Sequence, residues 1–244
     1  MLSMLVTRPE PDASETAARL AALDIGAVKA PLFTFSLLST TLPAPDGFAA
    51  LTATSANALR ALHDRGEVAH FRHLPLYAVG ARTAAAAQEF GFAEVVTADG
   101  DLTALVELLA QAGLDGPIFH PAAREQSGDL AKALAPHGVM VISTPVYAMI
   151  AAKDMDAAIL ESLDSGAIGG ALFYSRRTAQ TFVSIAHSHL GAETHRKLGM
   201  LCLSEAVAAP LVDAHFVRIG LADYPSEEAM MSLALSFARD QNPA

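Results

Sequence analysis

Two short stretches place small hydroxyl residues where a strand would hand over to a helix: LTATSANALRAL (51–62) and ALFYSRRTAQTF (171–182). Gly80 in LYAVGARTA and Ser204 in LCLSEAV head two further junctions of the same kind. The chemistry such positions offer is anion capture. A helix start presents unpaired backbone N–H groups and the positive end of its dipole. Small residues let a ligand approach that backbone, and a hydroxyl caps the helix or donates one more bond. A carboxylate or phosphate held there gains charge-assisted bonds of roughly 1.5–3 kcal/mol each. Thr54, Ser55, Asn57, Gly80, Ser175 and Ser204 are the candidate contacts, with Thr83 in the segment that follows Gly80. The alternative for Ser55, Asn57, Ser175 and Thr178 is plain helix capping; four junctions together favour binding.

Other chemistries find little support. His63, His70 and His73 form one group and His187, His189 and His195 a second, but neither has zinc spacing or a cysteine nearby. Both groups are expected on surface loops and helices. Cys202 falls in an apolar strand, where a thiol packs. AVGARTA lacks the full GxGxxG fingerprint of a dinucleotide site. Ser226 in YPSEEAM reads as a helix cap followed by first-turn acids. No metal and no cofactor are expected.

The bulk composition narrows the partners. The net charge of -10 over 244 residues argues against nucleic acid, whose binding depends on Lys and Arg neutralising phosphates. An anionic small ligand stays compatible, because local backbone dipoles override the average. Hydrophobic residues make up 52% and charged residues 17%, enough for buried cores and too little charge for a disordered chain. With one cysteine no internal disulfide can form, which fits a reducing compartment. The opening MLSMLVTRPEPD does not read as a signal peptide, and no apolar run is long enough for a membrane span. A cytoplasmic protein without a membrane partner is expected.

The elements that must position the junctions alternate. SMLVT (3–7) reads as a strand, DASETAARLAALD (12–24) as a helix behind Pro11, and GAVKAPLFTF (26–35) as the next strand. Apolar run, polar junction and helix then recur along the chain, the pattern of βαβ units in parallel sheets. The pattern is also doubled. LVTRPEPDASETAARLAALDIGAVKAPLFTF follows the element order of FHPAAREQSGDLAKALAPHGVMVISTPVYAM, with Pro31 opposite Pro145. LTATSANALRAL aligns with ALFYSRRTAQTF, and LYAVGARTAAAAQEF with LCLSEAVAAPLVDAH. Breaks at TFSLLSTTLPAPDG (34–47) and STPVYAMIAAKD (143–154) suggest that one domain is inserted in the other. The expected division is residues 1–36 with 150–244, and residues 38–146. The crossings near 34–40 and 144–150 would pair as an antiparallel ribbon.

LVTRPEPDASETAARLAALDIGAVKAPLFTF, TATSANALRAL, AVGARTAAAAQEFGF and TPVYAMI, in that order, resemble the uroporphyrinogen-III synthase family. Thr7-Arg8-Pro9 with PLFTF, Thr54-Ser55-Ala56-Asn57 and Val146-Tyr147 are its more specific pieces. The resemblance implies two flavodoxin-like parallel-sheet α/β domains, interleaved and joined by a two-stranded β linker, with the active site between them. It implies an enzyme, a lyase, that cyclises the linear tetrapyrrole hydroxymethylbilane with inversion of ring D through a spiro intermediate. The substrate is already reactive, so the demand falls on conformational control. Tyr147 is then the candidate proton donor to the departing hydroxyl, or else a hinge residue. Arg8 is a candidate partner for a substrate carboxylate, or else salt-bridges within its own domain. A monomer, with transient handover from hydroxymethylbilane synthase, is expected. Two junctions depart from the family pattern: Ser175-Arg176-Arg177 replaces a Ser-Pro-Ser type, and Leu203-Ser204-Glu205-Ala206-Val207 replaces Gly-Pro-Thr-Thr. Hydroxyl contacts are lost there while backbone donors remain. The competing class is a non-catalytic two-domain α/β protein binding sugars or small anions, against which the missing export signal and helix-turn-helix segment count.

Overall fold

Short apolar runs bounded by Gly, Pro, Ser or Asp form the strands, and alanine- and leucine-rich stretches between them form the helices. The computed structural model describes residues 2–126 and 128–241. Its strands are β1 (Ser3–Val6), β2 (Gly26–Lys29), β3 (Phe33–Leu37), β4 (Ala50–Ala53), β5 (Leu76–Val79) and β6 (Val95–Ala98). The chain continues with β7 (Ile118–Ala123), β8 (Val141–Ala151), β9 (Ile168–Phe173), β10 (Gly199–Cys202) and β11 (Arg218–Leu221). They build two sheets, ordered β11-β10-β9-β1-β2 and β3-β8-β7-β4-β5-β6. The ladders within the first sheet are parallel, as are those joining β8, β7, β4, β5 and β6 in the second.

The chain divides into two compact units. One contains the chain up to Phe35 and from Ile150 onward; the other is Ser36–Met149. The chain passes between them in β3 and β8, which lie side by side. Leu38 N–H donates to Val146 O at 3.0 Å, and Ala152 N–H donates to Leu32 O at 2.9 Å. As one residue number rises the other falls, so this pair runs antiparallel.

In the first unit the chain-order numbering of the sheet is 2-1-3-4-5, the flavodoxin-like doubly wound order. In the second unit β7, β8, β4, β5 and β6 occupy the places of β1, β2, β9, β10 and β11. The arrangement is the same with the chain entering at a different strand, so the doubling extends to topology. Register agrees: Met4 faces Ala27 and Ile118 faces Val141, which puts Pro31 and Pro145 at the same offset.

Two local readings change. The stretch 26–35 is not one strand. It breaks at Ala30-Pro31-Leu32, and its halves, β2 and β3, join different sheets. Pro31 has no N–H to offer a ladder, which favours a break there. The first helix is Asp12–Ala21 rather than 12–24, and Asp24 closes the turn with φ 58.

Each unit has its own core. Met4, Val6, Leu20, Leu172, Leu201 and Met230 pack in the first, and Leu105, Leu109, Ile118, Leu130 and Leu134 in the second. β4 and β10 are buried along their whole length, as parallel strands covered on both faces must be. Gly199 sets one close approach: a Cβ there would strike the Phe237 ring. The glycine lets the helix Glu227–Gln241 lie directly on β10. Cys202 is fully buried, and burial pushes its thiol up to about 12, so it packs rather than reacts. Among the described residues no helix is long and apolar enough to cross a membrane.

Candidate functional site

In an open parallel sheet the ligand crevice lies beyond the carboxyl ends of the strands, where the strand order reverses. In the second unit that point is between β4 and β7. Their ladder pairs Ala50 with Ile118 and Leu51 with Phe119 and goes no further. Pro121, two residues on, has no N–H with which to continue it. Beyond this point a cavity of about 280 Å³ opens, bordered by Thr54, Ser55, His120 and Tyr147.

Each polar group reaches the cavity for a local reason. Thr54 and Ser55 end β4, and Ser55 adopts extended backbone as the cap of the helix Ala56–Asp64. Its Oγ accepts from Asn57 N–H at 3.2 Å. Tyr147 is delivered by a register shift in the β7–β8 ladder: Ala122 faces Pro145, yet Ala123 faces Tyr147. The extra residue re-aims the strand, as bulges do. Arg124 N–H holds the Tyr147 carbonyl at 2.8 Å, and the tyrosine is only 5% exposed.

His120 is the residue sequence reasoning missed. It lies inside β7, 2% exposed, with Nδ1 3.0 Å from Ser143 Oγ and Nε2 3.4 Å from Thr54 Oγ1. Burial lowers its pKa to about 4, so the imidazole is neutral near pH 7. A lone histidine in the apolar run PIFHPAA carries no local motif. Its neighbours come from residues 54 and 143, and only the parallel pairing brings them together.

The remaining expected contacts separate. Asn57 turns its Oδ1 to Arg60 at 2.9 Å and its Nδ2 toward Met149 Sδ at 3.9 Å. Gly80 heads the helix Gly80–Glu89 with φ 75, a conformation that favours glycine, and Thr83 is buried within that helix. Neither borders the cavity.

Arg8, Ser175 and Ser204 belong to the first unit. Ser175 Oγ accepts from Thr178 N–H at 3.2 Å and pairs with the Thr178 hydroxyl at 2.7 Å. Ser204 precedes the helix Glu205–Asp213 in extended backbone without a side-chain capping bond.

The equivalent crevice of the first unit, between β1 and β9, is internally satisfied. The Thr7 hydroxyl donates to Leu172 O at 2.6 Å across the strand ends. Arg8 pairs with Glu227 at 2.6 Å and with Asp12 at 2.9 Å, and its guanidinium lies 4.1 Å from the centre of the Tyr174 ring. Tyr174 and Thr16 each donate to Glu227 Oε1 at 3.1 Å. Burial, then the charge of Glu227, holds the Tyr174 hydroxyl well above its ordinary range. Arg8 thus makes both of these ion pairs within its own unit.

Among the described residues no group of three His, Cys, Asp or Glu is placed to hold a metal ion.

A family model described as uroporphyrinogen-III synthase HemD matches residues 14–232. No curated protein sequence matches the chain significantly. Among solved structures, uroporphyrinogen-III synthetase from Helicobacter pylori has a TM-score of 0.68 at 20% identity, with 97% of this chain and 100% of that one covered. A mutant uroporphyrinogen III synthase from Thermus thermophilus has a TM-score of 0.61 at 17% identity, with both chains covered in full. These two likenesses establish the fold.

Proposed function

The chain belongs to the uroporphyrinogen-III synthase family, and on that premise we propose that it closes hydroxymethylbilane into uroporphyrinogen III with ring D reversed. The observation that carries the site is the meeting of Thr54, Ser55 and Tyr147, from two distant segments, around one cavity at the switch point of a parallel sheet. The reaction is a dehydration and cyclisation. The hydroxymethyl carbon loses water to give an azafulvene, and ring D attacks through its substituted carbon to give a spiro centre. The spiro centre then fragments and recloses with the ring reversed. Water is the only leaving molecule, which makes the enzyme a lyase.

The catalyst must favour one closure over another, and positioning supplies that. Backbone N–H groups at a helix start suit a carboxylate arm of the substrate. The Ser204 side chain makes no capping bond, and only its carbonyl accepts from Val207 N–H at 3.1 Å, which suits the two N–H groups before Val207 to such an arm. Tyr147 serves as hydrogen-bond donor to the departing hydroxyl; a phenol assists at neutral pH without giving its proton up fully. A cytoplasmic monomer receiving its short-lived substrate from hydroxymethylbilane synthase completes the reading. Turnover of fresh hydroxymethylbilane tests it: type III product formed in proportion to enzyme supports it, and type I at the uncatalysed rate overturns it.

A further inference from the structure

The cavity beyond β4 and β7 is chemically mismatched to a carboxylate. Among the described residues that border it there is no lysine or arginine, and Glu125 adds a negative charge. Val79, Leu102 and Leu130 supply apolar wall. The remaining chemistry is hydroxyls and the His120 imidazole. Side chains of this kind offer an anion no countercharge to offset its desolvation. Such a cavity suits a neutral flat ring with a hydrogen-bond donor. Its volume of about 280 Å³ lies at the lower limit of small-molecule pockets, room for a part of a tetrapyrrole rather than the whole.

His120 supplies the polar complement. It is 2% exposed and holds Ser143 Oγ at 3.0 Å through Nδ1. Ser143 is itself exposed and can pass its own proton to water, which lets its hydroxyl accept from Nδ1–H. That tautomer leaves a lone pair on Nε2. The Thr54 hydroxyl, 3.4 Å from Nε2 and also bordering the cavity, is too distant to engage that lone pair fully.

We propose that His120 Nε2, with Thr54 beside it, is the acceptor for one pyrrole N–H of the substrate, so that a ring enters this cavity while its carboxylate arms stay at the rim. His120 is then a specificity-determining residue, one that recognises the ring and not its charges. The identity of the substrate rests on the function proposed above; the recognition of a pyrrole N–H does not.

The test has two arms on the full chain. In the first, histidine-15N-labelled protein is titrated with pyrrole and, separately, with furan, the same ring without an N–H. The proposal expects an unprotonated His120 Nε2 in the free protein, displaced in resonance by pyrrole and unmoved by furan. A protonated Nε2, equal displacement by both rings, or displacement by neither overturns it. In the second arm, His120→Phe raises the KM for hydroxymethylbilane about tenfold, the effect of one buried hydrogen bond, with kcat within about threefold. His120→Gln, which restores an acceptor near the Nε2 position, returns KM to within about threefold of the parent. Wild-type KM in a folded His120→Phe protein overturns the proposal. Should His120→Phe fail to fold, the Gln variant and the pyrrole–furan contrast decide. A parent chain that yields only the type I isomer at the uncatalysed rate defeats the proposed function alone, and the ring titration still scores the acceptor.

Discussion

Replacing Glu227 by alanine should destabilise the first unit by about 2–4 kcal/mol. Glu227 accepts from three side chains: Arg8 at 2.6 Å, and Tyr174 and Thr16 at 3.1 Å each. The Arg8 and Glu227 side chains are only 14% and 20% exposed, so water screens the pair weakly. A pair of unit charges about 4 Å apart at an effective dielectric of 20 is worth roughly 4 kcal/mol, and a charge-assisted hydrogen bond nets about 1.5–3 kcal/mol. Removing the acceptor forfeits that bond and strands two hydroxyls in a crevice that is mostly closed. Arg8 retains Asp12 at 2.9 Å, which trims the loss from the ~3–5 kcal/mol typical of an abandoned buried charge.

Urea unfolding followed by far-ultraviolet circular dichroism measures the loss. At about 2–4 °C per kcal/mol for a chain of this size, the thermal midpoint should fall by roughly 4–16 °C. Glu227→Gln keeps one acceptor oxygen while losing the other and the charge, so it should cost less than alanine. Arg8→Met combined with Glu227→Leu should recover part of the deficit, because neither partner is left alone. A Glu227→Ala protein within about 0.5 kcal/mol of the parent would refute the reasoning. If Arg8→Met leaves stability untouched and instead raises KM, the guanidinium serves substrate and not the crevice.

Three further outcomes follow from the same geometry. The unfolded chain protonates His120 near its ordinary 6.5, while the folded chain refuses the proton until about 4. This group's contribution is therefore intact above pH 6.5 and is lost as pH falls from 6.5 towards 4, at up to about 1.4 kcal/mol per pH unit. His120→Phe should flatten that part of the stability–pH curve, and an unchanged slope would contradict it. Ser175→Ala removes a real cap and should cost about 1 kcal/mol, whereas Ser204→Ala, which has no capping bond to lose, should stay within about 0.5 kcal/mol in urea unfolding. Tyr147→Phe should keep the fold and slow type III formation about tenfold to a hundredfold under single-turnover conditions; unchanged single-turnover rates would remove its donor role.

Much of the fold was legible because the alternation of apolar runs and amphipathic helices is local. Ser55 and Ser175 read as helix-start residues from their own neighbours, as ligand contacts or else as plain caps, and each accepts a capping bond. Cys202 read as packing and lies buried in β10. What escaped depends on contacts distant in sequence. The break between β2 and β3 falls at Ala30-Pro31-Leu32, just after Lys29, and the missing N–H of Pro31 is the local hint of it. Glu227 lies 219 residues from the arginine it holds. His120 lacks any spacing motif, because Thr54 and Ser143 reach it through strand pairing. Tyr147 was found through family resemblance, while its delivery by a register shift was visible only in the ladder. Local grammar yields elements and caps; a crevice is written in pairing.

The most direct measurement is the isomer composition of the product. Hydroxymethylbilane is generated fresh, the chain is added over a range of concentrations, and the product is oxidised to porphyrin and separated by chromatography. The account predicts type III in excess, rising with enzyme at the expense of type I. Type I alone, at a rate indifferent to the protein, would contradict it.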